Sequence, residues 1–185
     1  MRPTQTTAAT GYPWHMSTEL QQRLESTTLG QWQARQIVKA ATILAFFVES
    51  THEDKLRWKP VIDENSQTRS VLELVGECIY ANRRAQHLFL GDPPLPPPAE
   101  FDVFESVHDA VTQLKDSAKD LAEVVAKLDA EVLAKEFATH RGPMPGALVM
   151  QFPVRNMTYH MGQINMIQLL YGDTVFHTDD EFISL

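Results

Sequence analysis

The chain has 185 residues, 43% hydrophobic and 22% charged, which suits one soluble domain with a single core of ordinary size. Its formal net charge is −8 and no basic run exceeds Arg83-Arg84, so the basic footprint needed for nucleic acid or an anionic membrane surface is missing. A single cysteine, Cys78, excludes an intramolecular disulfide, and residues 1–7 lack the apolar core of a secretory signal; both lead us to expect a cytoplasmic protein.

Residues 1–16, with Pro3, Gly11 and Pro13, are expected to form a mobile N-terminal segment ahead of one domain over residues 17–172. A short preliminary helix capped by Ser17 and carrying Leu20 and Leu24 opens that domain. Thr28-x-x-Gln31 is a capping-box pattern that starts the first main helix, whose stripe Ile37, Ala41, Leu44 and Val48 has helical spacing. The apolar run around it, 40–48, contains Thr42 and is far too short to span a bilayer. The pattern fades near Ser50-Thr51. Ser70-Val71-Leu72-Glu73 is a second capping box, and the inner face of the helix it starts reads Leu74, Glu77/Cys78, Ala81, Ala85 and Leu88 before a stop at Gly91. A carboxylate among those positions is unusual.

Asp92-Pro93-Pro94-Leu95-Pro96-Pro97-Pro98 must be extended, close to polyproline II, and reads as a stiff spacer more readily than as a docking peptide. At about 3.1 Å per residue such a spacer runs the length of a helix, so the second and third helices can be parallel and joined by a crossover. Ser106-x-x-Asp109 opens the third helix, where Val107, Val111, Leu114, Ala118, Leu121, Val125 and Leu128 form a heptad seam. Asp116, Lys119, Asp120, Glu123 and Lys127 fall largely off it, as a solvated face. After Phe137 a loop over residues 139–146 leads to the fourth helix, which ends near Tyr171; Pro153 either kinks that helix or begins its regular winding. No strand run competes with these helices. The expected fold is all-α, a four-helix bundle with a tail over residues 173–185.

One stretch carries chemistry. Asn156, His160 and Gln163 are spaced four and three apart, so they share one helical face, with Met157, Met161 and Ile164 beside it. An imidazole between two amides suggests a site. The remaining candidates have plainer readings: His52 at a helix end, His87 and His108 on the surface, Cys78 as a small core side chain, and Met144, Met150, Met157, Met161 and Met166 as core filling. No Gly-x-Gly-x-x-Gly, phosphate loop or Gly-x-Ser-x-Gly elbow occurs, which leaves redox-nucleotide and ATP chemistry unsupported.

The order of elements resembles the DinB/YfiT-like family of four-helix-bundle metalloenzymes. The matching pieces are Leu56-Arg57-Trp58-Lys59-Pro60, residues 70–77, and residues 156–164 with Leu169-Leu170-Tyr171-Gly172. Most specific is His160-x-Gly162-Gln163, similar to the family's His-Arg-Gly-Gln segment. The resemblance implies a divalent metal, zinc or nickel, on three histidines, one in the second helix and two in the fourth. Carried over by position, these fall on Glu77, Asn156 and His160, with Gln163 in support. Only His160 is a histidine, and a neutral amide is a poor donor for zinc or nickel, so metal is expected to be weakly bound or absent. Without metal, Glu77 and His160 are expected to pair as carboxylate and imidazolium, hydrogen-bonded by Asn156 and Gln163. The family's activities imply a thiol-dependent transferase, isomerase or hydrolase of small molecules. The alternative is a metal-free small-ligand-binding or interaction module. The resemblance also implies a homodimer.

Overall fold

A computed structural model gives the fold over residues 26–61, 63, 67–139, 141–175 and 177. The mobile segment and preliminary helix expected before Ser26 lie outside the described residues, as does most of the tail.

The first main helix, α1 (Leu29–Glu49), starts where sequence chemistry places it. The Gln31 N–H donates to Thr28 Oγ1 at 3.2 Å, and the Thr28 N–H donates to Gln31 Oε1 at 3.1 Å. The next, α2 (Val71–Leu90), repeats the device: the Ser70 N–H donates to Glu73 Oε2 at 2.8 Å and the Glu73 N–H to Ser70 Oγ at 3.3 Å. Each reciprocal cap satisfies two otherwise orphaned donors and stabilises its helix by about 1 kcal/mol. Ser106 caps α3 (Val107–Val125) through the Asp109 N–H. The third helix is shorter than the seam predicts. Beyond Val125, Asp129 accepts from the Val132 N–H at 2.9 Å and starts a separate short helix, α4 (Ala130–Ala134), so Leu128 lies between helices.

The expectation of no strands needs correction. The segment expected to be a loop, residues 139–146, forms with the residues just before it an antiparallel hairpin, β1 (Glu136–Thr139) with β2 (Gly142–Pro145), in which Glu136 pairs with Pro145 and Thr139 with Gly142. Gly142 takes φ +99°, a conformation side chains resist, and Thr139 Oγ1 donates to the Gly142 carbonyl at 2.7 Å. The hairpin stays with the bundle through Phe137, whose ring meets Phe89 edge-on at 5.3 Å. A single turn, α5 (Gly146–Val149), then precedes the last helix, α6 (Phe152–Leu170). Pro153 lies in its first turn, where a missing N–H costs nothing; the helix begins there and is not kinked.

α1 and α2 each pack against both α3 and α6. Contacts fix the directions. Gly30, early in α1, lies on the carbonyl of Val125 at the end of α3, so these two run antiparallel. Buried Gln33 donates to the Met150 carbonyl ahead of α6, and buried Gln168, late in α6, donates to the Phe47 carbonyl late in α1, so α1 and α6 are parallel. In the middle of α2, Asn82 donates to Ser117 in the middle of α3 at 3.1 Å. The strap between them, residues 91–106, climbs back along α2: Tyr80 Oη donates to the Leu95 carbonyl, and Arg57, whose neighbour Leu56 accepts from the Leu72 N–H at the start of α2, holds Asp102 and the Phe104 carbonyl. α2 and α3 are therefore parallel and joined by the crossover that the proline spacer permits. Gly76 makes this possible, because a Cβ there would lie 2.0 Å from the Phe101 carbonyl oxygen.

The core is continuous through the four helices. Leu44, Phe47, Leu72, Leu114, Leu121, Met157 and Ile164 are fully buried, each contributing about 1.5–3 kcal/mol. The stripe predicted for α1 is buried throughout, and Val111, Leu114, Ala118, Leu121 and Val125 of the α3 seam face inward, while Asp116, Lys119, Asp120, Glu123 and Lys127 are exposed.

Candidate functional site

The antiparallel packing of α2 on α6 brings the second turn of α2 to the middle of α6, and there Glu77 meets His160. Glu77 Oε1 lies 3.6 Å from His160 Nε2. Asn156, one turn earlier on α6, presents its Nδ2 to the same Nε2 at 3.1 Å. On the other side of the ring, Nδ1 lies 2.6 Å from Gln163 Oε1. The three positions singled out on α6 and the carboxylate of α2 thus form one cluster. His160 is buried, with its side chain 5% exposed, while Glu77 is 29% exposed and borders the core instead of lying within it.

These contacts define the imidazole. Nδ1 donates to the Gln163 oxygen and Nε2 accepts from the Asn156 amide, so the ring is satisfied as a single neutral tautomer. Burial holds its pKa below the usual histidine value. The bond to Gln163 opposes that shift and the Arg69 charge adds to it. The expected carboxylate–imidazolium pair is therefore corrected. At 3.6 Å the carboxylate is beyond hydrogen-bond reach of Nε2, and the neutral ring offers it no charge.

Glu77 takes its cation from elsewhere. Arg69, the residue before the Ser70 cap, pairs with Glu77 Oε2, and its guanidinium lies over the Phe101 ring at 5.0 Å. Sequence reading missed this residue. A signal existed, since a cation just ahead of a helix N-terminus faces the positive end of the helix dipole and needs a compensating partner. Tyr159 was missed too. Its ring stands edge-on to His160 at 5.3 Å and its hydroxyl accepts from Gln163 Nε2 at 3.4 Å.

The cluster forms the polar end of a pocket of about 490 Å³ between α2, α6 and the segment ahead of α2. Pro60, Leu74, Ile167 and Leu170 give it apolar walls; Arg69, Glu77, His160, Gln163 and Tyr159 give it polar ones. Met166, expected as core filling, lines this pocket and is 55% exposed. Asn156 lies behind His160, off the pocket wall, and its Oδ1 is buried without a hydrogen bond. Cys78 is next to Glu77 in sequence but faces the core, and burial pushes its thiol far above the usual range, so it is an inert core residue.

The donor set does not fit a zinc or nickel centre of the three-histidine kind. The Glu77 carboxylate is paired with a guanidinium, both nitrogens of His160 are engaged by amides, and Asn156 supplies only a neutral oxygen. Among the described residues, no three His, Cys, Asp or Glu side chains converge as a metal would need.

An all-α bundle with a crossover between its second and third helices, and a polar cluster on the second and last, defines a recognisable class. The family model of the DinB superfamily matches residues 15–164, and the chain belongs to that superfamily. Among solved structures, a DinB-like protein of Bacillus subtilis, YjoA, is similar in fold, with a TM-score of 0.56 and 13% identity over 80% of this chain and 99% of that one. No curated protein matches the chain. Among the described residues, no helix is long and apolar enough to cross a membrane.

Proposed function

We propose that this protein is a metal-independent member of its superfamily that binds a small molecule in the pocket between α2 and α6. One observation carries the reading: the carboxylate that replaces the expected second-helix histidine is neutralised by Arg69 from the same chain. A guanidinium supplies the positive charge that a metal would otherwise bring, and neutral His160 then serves as a hydrogen-bonded wall. The pocket has the size and the mix of apolar walls with a few convergent polar groups typical of small-molecule sites.

Elemental analysis of the untagged protein tests this directly, with far less than one zinc or nickel per chain expected. Stoichiometric metal that resists dialysis overturns it. The Glu77→His, Asn156→His double variant, made together with Arg69→Ala, is expected to gain metal where the parent has none.

A second reading, a weak divalent-metal centre on Glu77, Asn156 and His160 serving transferase or hydrolase chemistry, is favoured by a specific geometry. Glu77 Oε1 and His160 Nε2 are 3.6 Å apart, a separation two ligands of one ion adopt, and Asn156 Oδ1 is buried and unpaired. It requires Arg69 to leave. A homodimer belongs to the proposal as well, supported by the exposed apolar side chains Tyr159, Met166, Leu169 and Leu170 on α6, and light scattering of the eluting protein tests it. A cytoplasmic location is proposed from the single cysteine, and fractionation of cells expressing the protein tests it.

A further inference from the structure

We infer that the Glu77 end of the pocket is an organic-cation subsite, in which Arg69 is a tethered occupant, and that the ligand carries an amine, amidine or guanidine head on an apolar body. The inference rests on the metal-independent reading above and names its ligand class.

Three observations converge. First, among the described residues Glu77 is the one carboxylate lining the pocket, so it is the anionic place there for a ligand's charged head. Second, the present partner is replaceable. Arg69 is 41% exposed and stands outside the helix, and an ion pair this open contributes little, so its guanidinium can return to water when another cation arrives. Its guanidinium lies over the Phe101 ring, which is not among the residues lining the pocket, so Arg69 can keep that aromatic contact when the carboxylate takes another cation. Third, the ring of Tyr159 lines the same pocket, 64% exposed, and an exposed aromatic ring in a site that also holds a carboxylate favours cations.

An anionic ligand fits less well. To reach Arg69 it must approach Glu77, in a chain whose formal net charge is −8. The hydrogen bonds of His160 are already made to Asn156 and Gln163, so the ring offers an anion no spare donor. Leu74, Ile167 and Leu170 are then left to cover the body of the ligand.

The test uses phenethylammonium as probe and 3-phenylpropanoate as its charge-reversed match, titrated into metal-depleted full-length protein and followed by NMR of the side-chain amides. Phenethylammonium is expected to bind with a dissociation constant on the order of 1 mM, as suits a ligand this small. Arg69→Ala, and equally Arg69→Gln, should tighten it by up to about fivefold by removing the tethered competitor. Glu77→Gln keeps the shape and should abolish binding. Binding of 3-phenylpropanoate that disappears in Arg69→Ala overturns the inference in favour of an anion site. So does phenethylammonium binding that Glu77→Gln leaves unchanged, or its absence in both Arg69 variants while their melting temperatures stay near the parent's. A separate zinc titration distinguishes the two failures: stoichiometric zinc uptake by the parent defeats the metal-independent reading, whereas loss of probe binding without zinc uptake defeats only the cation subsite.

Discussion

α2 carries polar side chains toward both its neighbours, and the two interfaces treat them oppositely. Toward α3, Asn82 is fully buried and hydrogen-bonds Ser117, whose hydroxyl in turn donates to the Leu114 carbonyl at 2.8 Å. Both side chains of this pair are shut off from solvent. Toward α6, Glu77 and His160 stand at the end of a pocket of about 490 Å³, reachable by Arg69 and by solvent. A sealed polar pair has one partner and one geometry, so it fixes how two helices slide past each other. An open one can exchange partners, and exchange of partners is what binding requires. The same helix thus supplies a structural peg on one face and a candidate site on the other.

Substitutions on the two sides should separate these roles. The largest effect is expected at Gly76, where an added methyl meets the Phe101 backbone at 2.0 Å. Gly76→Ala should cost about 3 kcal/mol in denaturant unfolding, since backbone cannot step aside as a flexible side chain does. Asn82→Ala comes next, at about 2 kcal/mol, because a buried partner loses its hydrogen bond and a void opens. Full stability in that variant would show that the sealed interface needs no peg. On the open side, Glu77→Gln should change unfolding by less than about 1 kcal/mol, since it removes only a partly exposed ion pair. A larger loss would mean that this cluster is structural after all.

For His160 the prediction is one of sign. Its folded-state pKa lies below the unfolded value, so the unfolded chain binds the proton more readily. Stability attributable to this residue is full above about pH 6.5 and is lost as pH falls through that value toward the lower folded-state one. Chemical denaturation at a series of pH values, with His160→Gln as reference, reads this directly; a contribution that grows on acidification would restore the imidazolium pairing. A small change of the opposite sign is expected at Gly162. It is exposed, and a methyl there meets nothing within 4 Å, so Gly162→Ala should stabilise the helix by about 0.5–1 kcal/mol.

Much of the frame was legible because it is written locally. Thr28 and Ser70 announce their helices through side chains that reach only three residues, and the heptad seam of α3 needs no knowledge of its partner. The crossover could be read from the stiffness of seven residues, Asp92 to Pro98. The end of α3 was harder, since Asp129 restarts a helix within a pattern that keeps its apolar spacing past Val125. The hairpin escaped because its strands are four residues each and contain Gly142, Pro143 and Pro145, which argue against strands in general. At the site, the spacing of Asn156, His160 and Gln163 was sufficient to place them on one face. The charge state of His160 was not, because it follows first from burial against other helices, with Arg69, which arrives from outside any periodic element, adding to the shift. Residues that act through a non-local ionic contact leave no rhythm in the chain.

The strap along α2 also governs the order in which the molecule can assemble. Sequence neighbours α2 and α3 cannot zip together from a tight turn, as consecutive helices do in a simple up-and-down bundle. Their native contacts close only after a long excursion has been immobilised at Tyr80 and Arg57, so nucleation must draw on partners far apart in the chain. A bundle wired this way is expected to fold more slowly than its helix content suggests.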